Sequence, residues 1–73
     1  MLRKKSFSIA GHRTSIALEP EFWAALEGEA RREAISLAAL VARVDLERGS
    51  RNLASALRVH VLSQALEKAA EQS

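Results

Sequence analysis

Arg13 and Ser15, with Ala17 after them, are the residues of this chain best placed to recognise another molecule. They alternate with Thr14, Ile16 and Leu18 through the stretch His12–Leu18. In an extended strand Arg13, Ser15 and Ala17 therefore share one face and the other three share the opposite face. A guanidinium donates two hydrogen bonds to O6 and N7 of guanine, a hydroxyl donates or accepts at a base edge or a phosphate, and a methyl suits the methyl of thymine. Catalytic constellations are absent by contrast. There is no cysteine, no glycine-rich phosphate loop and no His-x-x-x-His pair, and the carboxylates lie among arginines on helical faces, where surface pairing is the ordinary outcome. We expect a binding protein and not an enzyme, with no cofactor and, since His12 and His60 stand alone, no metal site.

Charge points to a polyanion as the ligand. Residues 1–13 carry Arg3, Lys4, Lys5 and Arg13 without an acid, whereas residues 14–73 carry seven basic and nine acidic side chains. A basic segment running into a strand, on a near-neutral body, is an electrostatic footprint for nucleic acid, with Arg3, Lys4 and Lys5 as phosphate contacts. No apolar run follows Lys5 and none elsewhere reaches the length of a membrane span, so we expect a cytoplasmic protein without a membrane partner.

The elements that must hold these residues are mainly helical. His12–Leu18 is the one convincing strand, and a solitary strand cannot satisfy its own backbone. Its expected partner is the same strand of a second copy, antiparallel about a two-fold axis, giving a two-stranded ribbon of the width that enters the major groove. At 73 residues without a disulfide, oligomerisation is the available source of additional stability. Residues 6–11 also alternate, but a strand continuous with His12–Leu18 would put Phe7 and Ile9 beside Arg13 and Ser15. A break at Gly11 is expected, leaving residues 1–11 as a basic arm; a short separate strand is the alternative.

One domain is expected over residues 12–70, with helices over about 20–33, 37–48 and 53–69 after the strand. Pro20 opens the first helix, which carries Phe22, Trp23, Leu26 and Ala30 inward; Gly28 within it costs up to about 1 kcal/mol against alanine and allows a close packing contact. Ser36 caps the second, Gly49 ends it, and Asn52 caps the third. Glu67 to Ser73 should fray, and His60, between two valines, reads as a partly buried structural histidine. Ile16, Leu18, Phe22, Trp23, Leu40, Val41 and Val44 are expected to form the dimer core. Ser36 and the free N–H groups of Leu37, Ala38 and Ala39 are a phosphate-docking turn if that end faces DNA.

Strand, helix, Ser-capped turn and helix in this order resemble the ribbon-helix-helix family of Arc- and MetJ-type repressors. More closely, the strings His12 to Trp23, Ser36-Leu37-Ala38-Ala39-Leu40-Val41 and Asn52-Leu53-Ala54-Ser55-Ala56-Leu57-Arg58-Val59 resemble a group of very short bacterial ribbon-helix-helix proteins, over about residues 4–66. The resemblance implies an intertwined homodimer with an intermolecular antiparallel ribbon, here extended by a C-terminal helix. It implies Arg13, Ser15 and Ala17 as the groove-facing triplet and the start of the second helix as the phosphate clamp. Ala17 stands where a polar base reader is usual, and Ala34 where glycine is common in the turn between the first two helices, which points to a slightly different turn. The expected function is a dimeric DNA-binding transcriptional regulator, a repressor on double-stranded DNA whose dimers can pair into tetramers there. The other class is a protein–protein interaction module on the same scaffold, antitoxin-like or an assembly scaffold, using Phe7–Ile9 or the third helix.

Overall fold

His12–Leu18 is a strand with the expected bounds, but its partner lies in the same chain. The structure, a computed structural model, describes residues 1–72. Its elements are β1 (Arg3–Ile9), β2 (His12–Leu18), α1 (Pro20–Glu33), α2 (Leu37–Glu47) and α3 (Leu53–Glu71). β1 and β2 form a two-stranded antiparallel sheet, in register from Ile9 opposite His12 to Arg3 opposite Leu18. The expectation of a basic arm over residues 1–11 is thereby corrected, as is the reasoning that β2 had to look to a second copy for a partner.

The reversal is made by Ala10 and Gly11, at φ 52° and 81°. Two consecutive residues at positive φ are the signature of the tight turn whose twist matches that of antiparallel strands. Folding back there places Phe7 opposite Thr14 and Lys5 opposite Ile16, so the apolar residues of both strands fall on one face. The register conflict that argued for an arm is the hairpin itself. Ala10 is the weak point, since an L side chain in the left-handed region costs about 1–2 kcal/mol. Ala10→Asn is expected to raise stability by about 0.5–1 kcal/mol in denaturant unfolding, because asparagine tolerates that conformation. A loss of stability would mean the turn is not of this kind.

Behind the hairpin one core joins all five elements. Leu18, Trp23, Leu26, Leu40, Val41 and Leu57 are essentially inaccessible, with Ile9, Ile16, Ala30, Val44 and Ala56 around them. Six of the seven residues expected in a dimer core (Ile16, Leu18, Trp23, Leu40, Val41 and Val44) are thus buried by their own chain, while Phe22 is half-buried. Within the one chain β1 and α3 supply much of their cover. Trp23 holds β1 directly, its Nε1 donating to the Arg3 carbonyl at 2.8 Å and its ring 5.9 Å from that of Phe7.

The helix caps follow the sequence closely. Ser36 Oγ accepts from the Ala39 N–H at 3.0 Å, and Asn52 Oδ1 from the Ser55 N–H at 2.8 Å. Ala34 sits at φ 57°, the left-handed C-cap conformation that glycine usually takes: its N–H reaches the Arg31 carbonyl and the Ile35 N–H the Ala30 carbonyl. α2 ends one residue before the expected Arg48, and α3 runs on to Glu71 where fraying was expected; Ser73 lies outside the described residues. No element closes on Gly28, whose nearest neighbour to an added Cβ is the Arg32 side chain.

A polar clamp ties the three helices together. The buried Glu29 carboxylate of α1 accepts from His60 Nε2 of α3 at 2.8 and 3.0 Å, and from Arg43 of α2 at 3.4 Å. Arg43 also donates to both oxygens of Glu33, at 2.9 and 3.0 Å. Arg43 first, and the Glu29 side chain second, lower the Glu33 pKa from 4.5 to about 2. A carboxylate whose pKa is depressed on folding stabilises above its unfolded value and loses that contribution as pH falls through the folded value. Stability is expected to decline between about pH 4.5 and 2, and Glu33→Gln should remove part of that decline in acid titrations followed by circular dichroism. Identical titrations of both proteins would contradict the pairing.

Candidate nucleic-acid interface

The face of the hairpin turned away from the helices is polar except at Ala17. Three cross-strand pairs build it: Lys4 with Ala17, Ser6 with Ser15 and Ser8 with Arg13. All are exposed except Ala17, which is half-buried. Ser6 Oγ and Ser15 Oγ are 2.9 Å apart, a hydroxyl–hydroxyl bond that fixes both side chains across the ribbon. Lys4 and Arg13 make no ion pair among the described residues, and residues 1–18 contain no acid to neutralise them. Three other cations are paired, Arg43 with Glu29 and Glu33, Arg48 with Asp45 and Arg58 with Glu19, while Arg31, Arg32, Arg51 and Lys68 form no ion pair among the described residues. The Glu19 carboxyl is held below its usual range by its own backbone N–H and by Arg58.

Arg13, Ser15 and Ala17 thus lie together on the outward face, as their alternation indicated. The three basic residues at the start of the chain do not stay together. Lys4 points outward, whereas Lys5 lies on the inner side with its Nζ 5.7 Å from the centre of the Trp23 ring. Arg3 alternates inward at the open end of the hairpin, exposed, with its carbonyl engaged by Trp23. Ser36, Leu37 and Ala38 form the start of α2 as expected, but the Ala39 N–H, expected to be free, is taken by the Ser36 hydroxyl, so the N–H groups left for a ligand are those of Leu37 and Ala38. The hairpin turn packs at the other end of that helix, where Ile9, Ala10, His12 and Thr14 form a cleft with Asp45, Arg48, Asn52 and Leu53. An 11-residue helix is on the order of 16 Å long, so the Ser36 turn is a separate site, not an extension of the hairpin tip.

Sequence reasoning missed Ser6 and Ser8. The signal that reveals them is the two-residue Ala10-Gly11 link between two alternating runs, which brings the even positions of β1 beside the odd positions of β2. A hairpin with an outward hydroxyl and cationic face, backed by helices, has the dimensions of a major-groove element. Over residues 2–65 the sequence matches the ribbon-helix-helix domain. The chain belongs to that family. The match runs through both strands, α1, α2 and most of α3. Ribbon-helix-helix domains are commonly DNA-binding transcription regulators and typically dimerise. No curated protein and no solved structure gives a significant match to the chain.

In this ribbon-helix-helix domain the backbone of β2 has one edge left over. Ile9 and His12 face each other across the turn, and antiparallel bonding alternates from there. The N–H and C=O groups of Thr14, Ile16 and Leu18 are consequently directed to β1, and those of Arg13, Ser15 and Ala17 to the open edge. Among the described residues no bond from another element reaches them. Among the described residues there is no cluster of three or more potential metal ligands, and no helix is long and apolar enough to cross a membrane.

Proposed function

We propose that this ribbon-helix-helix domain is a dimeric, non-catalytic DNA-binding protein, a transcriptional regulator that presents β2 to the major groove. One observation carries the reading: Arg13 and Ser15 project from an outward strand face with no acid within the hairpin and no competing ion pair. Arg13 suits guanine and Ser15 a base edge; Ala17 offers only a methyl. The dimer forms along the open edge of β2. Pairing about Ser15 sets Ser15 opposite the partner's Ser15 and Arg13 opposite the partner's Ala17, and satisfies the remaining ladder groups of both strands. The two Ser36 turns, with the N–H groups of Leu37 and Ala38, hold phosphates outside the groove.

Selection of bound duplexes from a random pool tests the reading. A palindromic consensus is expected, because a two-fold ribbon reads two equal half-sites. Recovery of no sequence above background would overturn it. A second reading, a protein–protein interaction module on the same scaffold, draws on the exposure of Leu62 (56%) and Leu66 (61%) on α3. It predicts no DNA retention at all, with any partner binding abolished by Leu62→Ser.

A further inference from the structure

β1 is more than a cover for the core, because its even positions share the outward face with the base readers. We infer that β1 is a phosphate-gripping flank, in which Lys4 and Ser8, with Ser6 held in place by Ser15, bind the sugar–phosphate walls on either side of the groove. The inference rests on the dimeric reading above. Pairing two β2 strands along their open edges gives the strand order β1, β2, then the partner's β2 and β1. Strands are spaced about 4.8 Å apart, so each β2 lies about 2.4 Å and each β1 about 7 Å from the two-fold axis. The major groove is about 12 Å wide, or about 6 Å from its midline to either wall. β2 fits within it; β1 falls on its rim.

The residues available on that rim suit phosphate. Lys4 is exposed and unpaired among the described residues, and an ammonium is a point-charge partner for a phosphate oxygen. Ser8 is exposed beside Arg13, and its hydroxyl can donate to a phosphate. Ser6 is bonded to Ser15 at 2.9 Å, which couples the flank to the reader across one ladder step. Lys5 supplies the internal contrast. It is one residue away and carries the same charge, yet it lies on the inner face over Trp23.

Fluorescence anisotropy on a selected duplex and a scrambled one, across several salt concentrations, separates the outcomes. Lys4→Ala should weaken both duplexes together and flatten the salt slope by about 1.8, at about 0.9 per phosphate and two phosphates per dimer. Ser8→Ala should weaken both roughly ten-fold without changing the slope, as a neutral donor lost twice. Lys5→Ala should leave the slope unchanged. All three are compared at matched folded fraction by circular dichroism. Wild-type protein that binds DNA while Lys4→Ala leaves affinity and slope intact overturns the flank alone. So does a Lys4→Ala or Ser8→Ala loss confined to one base position, which would seat β1 inside the groove, or a Lys5→Ala slope change equal to that of Lys4→Ala. Wild-type protein that binds neither duplex overturns the DNA reading itself.

Discussion

Trp23→Ala is expected to remove a large share of the chain's stability, of the order of half. The ring is 2% exposed, and removing a buried tryptophan costs about 3–5 kcal/mol. At about 0.05–0.15 kcal/mol per residue, a 73-residue domain has about 4–11 kcal/mol in total. The loss is also specific in place. Trp23 is the side chain that holds β1, through the bond to the Arg3 carbonyl and the stack on Phe7, so the hairpin should detach before the helices separate. Thermal melts by far-ultraviolet circular dichroism should drop by more than about 10 °C, at about 4–8 °C per kcal/mol for a domain of this size. Trp23→Phe keeps a ring but loses the N–H donor, and should cost only about 1–2 kcal/mol, the penalty of a missing hydrogen bond and some volume. A melting temperature within a few degrees of wild type for Trp23→Ala would place the hairpin elsewhere.

Arg13→Ala is expected to produce the largest change in function. Each guanidinium paired to a guanine discriminates by about 1–3 kcal/mol, and a dimer carries two. Affinity for a selected site should therefore fall by about 30-fold at the least and by as much as about 20,000-fold. A scrambled duplex should lose far less, because no base contact exists there to be removed. Stability should stay near that of wild type, since Arg13 is exposed and makes no ion pair among the described residues. Equal losses on both duplexes, with the salt slope flattened by about 1.8, would make Arg13 a phosphate contact and leave Ser15 as the sole polar reader.

Much of the scaffold was legible because its signals are local. Pro20 at the start of α1, the Ser36 and Asn52 caps and Gly49 after α2 each act within a turn of where they stand. The outward face of β2 was equally legible, since alternation is a property of seven consecutive residues. What stayed hidden depends on tertiary pairing. Ala10 is a poor turn residue, so the hairpin lacked the asparagine or aspartate that usually announces it, and Phe7 and Ile9 looked out of register when they were in fact across the ladder. Missing the hairpin had two consequences. Lys4 and Lys5 look equivalent in an unpaired arm, although successive strand residues face opposite ways, and Ser6 and Ser8 join the interface only once β1 is paired. The Glu29–His60 bond spans 31 residues, a separation that no local pattern reports.

Base reading by Arg13, the two-fold symmetry of the site and the phosphate flank of β1 all depend on one geometric claim, that two copies pair along β2 about Ser15. The chain has no cysteine, so Ser15→Cys introduces a unique thiol. In a hydrogen-bonded antiparallel pair the facing Cα atoms are about 5.5 Å apart, within the span of a disulfide. Ser15→Cys should form a covalent dimer rapidly under mild oxidation, while Arg32→Cys, exposed on α1, should remain monomeric under the same conditions. The cross-linked protein should still bind the selected duplex. Cross-linking of Ser15→Cys no faster than that of Arg32→Cys would contradict the pairing, and with it the ribbon on which this account of DNA recognition depends.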